Sequence, residues 1–152
     1  MDKAHVIEKL NECLRHEWTG VAQYAQAGFV VSGLWREVYS KMFFGNAEES
    51  FGHAKLVGEK IAALGGVPTI ERNSIKQSND LVEMLKYGLA FESAAVSLYN
   101  EALSVAEGDR ALEVFIEDIL KEEQAGVDEL TRLLEDHHAA TGTGEASATK
   151  AG

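Results

Sequence analysis

Residues 6–24 read VIEKLNECLRHEWTGVAQY, and their apolar side chains recur at the spacing of a helix rather than a strand. Positions three or four residues apart share one helical face. Along this stretch they are Ile7, Leu10, Leu14, Glu17, Val21 and Tyr24. Glu17 is the charged member of an otherwise apolar and aromatic stripe. The segment therefore predicts a long amphipathic helix that carries a carboxylate in the middle of its buried face.

The same period extends over four long segments, 3–31, 35–64, 80–106 and 109–138, and none of them alternates as a strand would. Glycines fall at the breaks, at Gly33, at Gly65 and Gly66, and at Gly108, where a helix commonly ends. Helices of ~27 residues are ~40 Å long. The sequence thus predicts an all-α protein built as a four-helix bundle.

The lengths of the connections constrain the topology. Short links join the first helix to the second and the third to the fourth, so each pair should form an antiparallel hairpin. The irregular segment around Pro68 has about fifteen residues and could span up to ~50 Å. We expect it to cross the length of the bundle, which makes helices two and three parallel; a simple up-down-up-down bundle with a flexible loop is the alternative. The bundle should occupy residues 1–138, and the small-residue tail 139–152 should be disordered.

Composition limits the class of protein. The chain has 152 residues, is 45% hydrophobic and carries a formal net charge of −11, a field that repels nucleic acid and attracts cations. No stretch approaches the ~20 apolar residues of a membrane span. Cys13 is the only cysteine, which fits a reducing compartment. We expect a cytoplasmic protein that binds neither nucleic acid nor membranes.

Polar groups occupy the middle of all four predicted stripes. Glu17, Glu92 and Glu123 lie on the first, third and fourth helices, and His53 holds the comparable place on the second. Buried carboxylates that face one another must be neutralised or must bind a cation. Iron, manganese and zinc accept such oxygen and imidazole ligands. His16, next to Glu17, is expected to point to another face, into solvent.

An internal repeat relates the two hairpins at an offset of 75 residues. Leu14, Glu17, Val21 and Tyr24 match Leu89, Glu92, Val96 and Tyr99. The bundle should therefore have approximate two-fold symmetry, with the polar cluster near its axis. Tyr24 and Tyr99 are expected to hydrogen-bond to the carboxylates.

Four segments together resemble the ferritin-like superfamily, and bacterioferritin most closely. They are VIEKLNECLRHEWTGVAQY, HAKLVGEKIAALGGVP, LAFES and ILKEEQAGVDEL. The resemblance implies a di-iron site built from one Glu on each of two helices and a Glu-x-x-His on each of the other two. The single carboxylates correspond to Glu17 and Glu92.

Both Glu-x-x-His motifs are incomplete under this resemblance. The first falls on Ser50 and His53, and the second on Glu123 and Gly126. Glu17, His53 and Glu123 would still surround one metal position, whereas Glu92 would be the only non-bridging ligand of the other. Glu49 and Glu122 are neighbouring acids that could compensate.

The resemblance implies a bacterioferritin-like protein that binds iron for storage or detoxification, with weak or absent ferroxidase activity. One or two iron ions would bind per chain, with zinc or manganese as possible substitutes. Phe51 stands where bacterioferritins have the haem-binding methionine, so no haem is expected. Two alternatives remain: a non-catalytic ferritin-like subunit or binding module with a mononuclear or empty site, and a mononuclear metal enzyme. Partners would be metal ions and further copies of the chain, or another ferritin-like subunit.

Overall fold

A computed structural model describes residues 1–137 of the chain. They form four helices, α1 (Lys3–Val30), α2 (Arg36–Ala63), α3 (Leu81–Val105) and α4 (Arg110–His137), with no strand among the described residues. The all-α prediction is confirmed, and the helix ends lie within about one residue of the expected limits. The predicted disordered tail, 139–152, lies outside the described residues. Across residues 1–137, none of the helices combines the length and the apolarity that a bilayer crossing requires.

Local chemistry fixes the helix ends. Asp2 and Asp80 precede α1 and α3, and their carboxylates accept the backbone N–H groups of His5 and Glu83, as N-capping residues do. At the other end of α1, Arg36 Nη1 donates to the carbonyl oxygen of Val31 at 2.6 Å. This guanidinium satisfies a carbonyl that the end of the helix leaves without a partner. The α1–α2 turn is thereby fixed by a residue of α2.

The segment between α2 and α3, residues 64–80, crosses the length of the bundle along α1. Side chains of α1 hold it at successive points: Asn11 at Val67 and Thr69, Trp18 at Thr69, Thr19 at Asn73, and Gln23 at Lys76. The contacts advance along both segments in the same direction, so the crossover returns the chain to the end of the bundle where α2 began. Helices α2 and α3 are therefore parallel, as predicted.

The buried apolar side chains divide into two clusters. One includes Leu10, Leu14, Ile61 and Ile116 and lies towards the start of α1. The other includes Tyr24, Phe43, Leu85 and Leu130 and lies towards its end. The layer between them holds buried polar side chains.

The buried face of α1 is wider than the predicted stripe. Ile7 and Val21, expected to point inward, are only half-buried, whereas Val6, Cys13 and Gly20 are buried. Helix α1 packs against both α2 and α3, and a helix with two neighbours buries more than one line of side chains. Periodicity located the middle of this face but not its width.

Gly20 is the point of closest approach in this face. A Cβ there would lie 2.6 Å from Ser50 Oγ and closer still to the ring of Phe91. We expect Gly20→Ala to lower the free energy of unfolding by about 1–3 kcal/mol, because the core has no room for the methyl group. Urea unfolding measures the change. Gly52→Ala is the matched control, since nothing lies within 4 Å of its Cβ, and it should stabilise α2 by up to about 1 kcal/mol. Equal effects of the two substitutions would contradict this packing.

Candidate metal centre

Each helix contributes one of the four predicted ligand residues to the layer between the two apolar clusters. Glu17 of α1 is 0% exposed, His53 of α2 is 3%, Glu92 of α3 is 4% and Glu123 of α4 is 2%. Helical periodicity directs all four inward at mid-helix. The structure therefore places every predicted ligand residue in the interior, although not all of them in one group.

Glu17, His53 and Glu123 form a close group. His53 Nδ1 lies 2.8 Å from Glu123 Oε1 and 3.4 Å from Glu17 Oε2. One potential ligand atom from each of the three residues lies within 4.8 Å of the other two. Small lateral movements would bring these three atoms onto a single cation. Their role as ligands remains a prediction.

The tyrosines of the repeat hold the carboxylates in a crossed arrangement. Tyr99 of α3 donates to Glu17 Oε2 of α1 at 2.7 Å. Tyr24 of α1 donates to Glu92 Oε2 of α3 at 2.5 Å. Each helix thus supplies the hydrogen-bond donor for the carboxylate of the other, which confirms the predicted tyrosine–carboxylate hydrogen bonds. These bonds occupy one oxygen of each carboxylate. In Glu17 it is the same oxygen, Oε2, that lies 3.4 Å from His53 Nδ1.

The second oxygen of the Glu17 carboxylate, Oε1, is buried and has no hydrogen-bond partner among the described residues. A buried acceptor without a partner costs about 1–3 kcal/mol, and more when it is charged. A cation between Glu17 and Glu123 would remove that cost. Two carboxylates and one imidazole are also a donor set that iron or zinc accepts, so the residues present fit a metal ion.

Without a cation, protons hold the charges of this layer in balance. Burial alone would lower the pKa of His53, but its hydrogen bonds to Glu123 and Glu17, with their charges, raise it to about 11. Burial raises the pKa of Glu123 to about 7 against the opposing hydrogen bond from His53. Burial and contact with Glu123 raise the pKa of Glu92 to about 9. A metal ion bound here would compete with protons for the same atoms.

Glu92 stands apart from the group of three. It borders a cavity of about 200 Å³ between α2 and α4, with Gly126 in the wall. A Cβ at Gly126 would lie 3.1 Å from Glu92 Oε1, so a side chain at this position would point at that carboxylate. Ser50, in the other incomplete motif, is buried against Gly20 of α1. The side of the layer around Glu92 therefore has fewer potential ligand side chains than the side around Glu17.

Glu122 and His16 are adjacent in sequence to the predicted ligand residues Glu123 and Glu17. Glu122, named as a residue that could compensate, lies with Oε1 3.2 Å from His53 Nε2 and is 54% exposed. The prediction that His16 faces solvent is wrong. It is 9% exposed, stacks on Phe91 at 4.0 Å between ring centroids and bonds through Nε2 to the Phe91 carbonyl oxygen at 2.8 Å. The wide buried face of α1, in contact with α3, includes it.

A family model and a known protein sequence both match most of this chain. Residues 7–139 match the family model of the ferritin-like domain. The chain is 32% identical over 131 residues to bacterioferritin from Rhodobacter capsulatus, a match that covers 82% of this chain and 80% of that protein.

Two solved structures are similar along nearly their whole length. One comes from a study of ferritin-like diiron-carboxylate proteins of Bacillus anthracis str. Ames, with a TM-score of 0.84 and 33% identity, covering 88% of this chain and 99% of that one. The other is a dodecameric thioferritin, the bacterioferritin-related protein of Bacteroides fragilis. It has a TM-score of 0.85 and 27% identity, and the match covers 94% of this chain and 92% of that one.

Proposed function

Because this chain belongs to the ferritin-like domain family, we propose that it binds iron for storage or detoxification at one tight site formed by Glu17, His53 and Glu123. The family and its bacterioferritin relative suggest iron storage. The finer assignment concerns the number of ions and the activity. We propose one tightly held iron per chain and weak or absent ferroxidase activity.

One observation carries the proposal, namely the unpartnered Glu17 Oε1 inside a buried group of two carboxylates and an imidazole. Proteins seldom leave a buried carboxylate oxygen without a donor or a cation. The hydrogen bond from Tyr99 to Glu17 Oε2 fixes the orientation of this carboxylate. The other oxygen, Oε1, remains without a hydrogen-bond partner. The geometry supports a cation site prepared before the ion arrives.

The protein's own residues account for the low activity that we propose. Two carboxylates in a dry interior favour the ferric over the ferrous ion, because the higher charge gains more from them. Reduction of O₂ to hydrogen peroxide takes two electrons and two protons, whereas one ferrous ion supplies one electron. The second ion would have to bind beside Glu92, where Ser50 and Gly126 supply neither the Glu nor the His of a complete motif.

Aerobic titration with ferrous iron tests this assignment through ferric absorbance and iron analysis. The natural chain should hold one tight iron and oxidise it slowly. The matched variant Ser50→Glu/Gly126→His restores both motifs, and we expect it to oxidise iron at least about tenfold faster, since a positioned second metal ion stabilises transition-state charge. Rapid turnover of two irons per chain by the natural protein would contradict the proposal.

A second candidate, a non-catalytic ferritin-like subunit or binding module with an empty site, is favoured by one feature. The 2.8 Å contact between His53 Nδ1 and Glu123 Oε1 gives a proton-satisfied network that can exist without metal. Metal analysis after purification separates the candidates. Negligible metal, with a thermal midpoint unchanged by added ferrous iron or chelator, would establish the empty-site version.

We also propose that the chain forms a homo-oligomer, a dimer or larger, or assembles with another ferritin-like subunit. The similar protein of Bacteroides fragilis is described as dodecameric. On the surface of this chain, large apolar side chains that include Leu34, Trp35 and Val38 are exposed around the α1–α2 turn. Light scattering of the purified chain at several concentrations measures the assembly.

Haem is not expected, since Phe51 replaces the methionine of the bacterioferritin pattern.

A further inference from the structure

His16 joins α1 to α3 in two ways. Its ring stacks on the ring of Phe91 with 4.0 Å between the centroids and 10° between the planes, and both side chains are buried. Its Nε2 lies 2.8 Å from the Phe91 carbonyl oxygen. A carbonyl oxygen can only accept a hydrogen bond, so Nε2 carries the proton and donates it. One side chain therefore contacts both a ring and the backbone of the neighbouring helix.

The bond from His16 to the Phe91 carbonyl is the shortest of its kind between these two helices. Among the described residues, Gln23 Nε2 and Tyr24 Oη also donate to backbone carbonyl oxygens of α3, but both distances are 3.4 Å, longer than a strong hydrogen bond. A slide of one residue along a helix is about 1.5 Å, and a backbone atom cannot follow its partner by changing rotamer. The 2.8 Å bond thus fixes the axial register of α1 against α3.

This contact lies at the level of the polar layer. His16 directly precedes Glu17 in α1. Phe91 directly precedes Glu92 in α3. His16 and Phe91 differ by 75 residues, the offset of the internal repeat, so their stack lies on the approximate two-fold axis that relates α1 to α3. The Phe91 ring also meets the ring of Tyr24 edge-on, at 5.6 Å between centroids.

The crossed tyrosine–carboxylate bonds span the same interface. Tyr99 of α3 donates to Glu17 of α1, and in the other bond Tyr24 of α1 donates to Glu92 of α3. Because donor and acceptor lie on different helices, a slide of α3 along α1 would change both distances. His16 is not part of the close group of potential ligands, so its effect on a bound ion has to pass through the register and these bonds.

We propose that His16 is a positioning residue of the metal centre, because its bond to the Phe91 carbonyl sets the register in which Tyr99 holds Glu17. This inference rests on the proposed function, since a positioning residue needs a ligand to position. It assigns His16 no contact with the cation. Loss of the hydrogen-bond donor, rather than loss of the ring, should therefore weaken metal binding.

The test uses the cobaltous ion as probe, with equilibrium titration for the dissociation constant and visible absorbance for the coordination geometry. His16→Phe keeps a ring that can stack on Phe91 but has no donor. We expect it to bind cobalt about three- to tenfold more weakly, with a changed absorption spectrum, since residues bonded directly to ligands typically contribute 10- to 100-fold. His16→Gln retains an N–H donor and should bind within twofold of the natural chain.

A matched control separates positioning from a general loss of stability. Val6→Ala removes buried apolar volume from the same helix, at a residue about 15 Å along α1 from His16. Urea unfolding compares the free energies of unfolding of the variants. We expect Val6→Ala to lower this free energy and to leave the cobalt affinity and spectrum unchanged.

A double-variant cycle shows whether His16 acts through Glu17. Tyr99→Phe removes the hydrogen bond to Glu17 Oε2. Effects that pass through one bond are not additive, whereas independent effects multiply in the dissociation constant. Adding His16→Phe to Tyr99→Phe should therefore weaken cobalt binding by less than about twofold more.

Far-ultraviolet circular dichroism reports whether each variant folds, and His16→Met, which also lacks a donor, replaces His16→Phe if that variant does not fold. An affinity of the donor-free variant within twofold of the natural chain, a loss no larger than that of Val6→Ala, or a loss that multiplies fully with that of Tyr99→Phe would overturn the positioning role. So would an equal loss in His16→Gln. Each of these results leaves the proposed function standing, whereas failure of the natural chain to bind cobalt would overturn both.

Discussion

Replacing His53 with alanine is expected to weaken cobaltous or ferrous ion binding by about 100-fold or more. His53 is the only nitrogen donor in the close group, and even residues that merely orient metal ligands typically contribute 10- to 100-fold. Competition against a chromophoric chelator measures the dissociation constant. His5→Ala is the control, because His5 is an exposed imidazole on the first turn of α1.

The alanine variant also removes a positive partner from two buried carboxylates, so its folding must be checked. Glu123→Gln is the gentler companion, since it keeps the volume of the side chain and one oxygen beside His53 Nδ1. We expect it to stay folded and to lose affinity by a similar factor. Affinities of both variants within threefold of the natural chain would show that the metal binds elsewhere.

The metal-free protein is expected to lose stability as the pH rises from about 6.5 to 9. The pKa of His53 is about 11 in the folded chain against 6.5 ordinarily, and that of Glu92 is about 9 against 4.5. In this range the folded state therefore retains protons that the unfolded chain releases. Each extra proton lowers the free energy of unfolding by about 1.4 kcal/mol per pH unit. Urea unfolding in the presence of chelator, at several pH values, measures this slope.

The variant Glu92→Gln measures how much of this pH dependence of the free energy of unfolding comes from Glu92. Glu92→Gln cannot titrate but can still accept the hydrogen bond of Tyr24, so its slope should be smaller by about one proton. Saturating metal should flatten the dependence further, because the ion replaces the protons in the group of three. Stability that stays level or increases up to pH 9 in the metal-free natural chain would contradict the proton-balanced network.

The sequence predicted the positions of the buried polar residues because helical periodicity is a local property. Glu17 and Glu123 interrupt apolar stripes, and such an interruption is visible without knowledge of the fold. The crossover was predictable from the length of the irregular segment, since only a long connection can join two helices that run parallel. The sequence also predicted that Tyr24 and Tyr99 hydrogen-bond to the carboxylates, although it did not show that each tyrosine bonds to the carboxylate of the other helix.

What the sequence did not predict depends on distances between helices. His16 was expected in solvent because the stripe of a single helix does not show how many neighbours cover it. The four polar residues were expected to converge, yet Glu92 lies beside a cavity rather than within the close group. Gly126 was recognised as a missing ligand, but the opening that it leaves exists only because of the spacing of α2 and α4.

The asymmetry of the layer has a simple physical origin. The two carboxylates on α1 and α3 preserve the repeat, while α2 and α4 depart from it at complementary positions, Ser50 with His53 and Glu123 with Gly126. The result is one side with three buried polar side chains close together and another side with one buried carboxylate that borders a cavity. We therefore propose that a bundle with approximate two-fold symmetry contains a single metal site.

The central claim is that Glu17, His53 and Glu123 share one cation. A crystal structure of the protein soaked anaerobically with ferrous iron, with anomalous data on both sides of the iron edge, tests it most directly. We predict one strong anomalous peak within bonding distance of Glu17 Oε1, His53 Nδ1 and Glu123 Oε1. Two peaks of equal height, or no peak among these three side chains, would contradict the account.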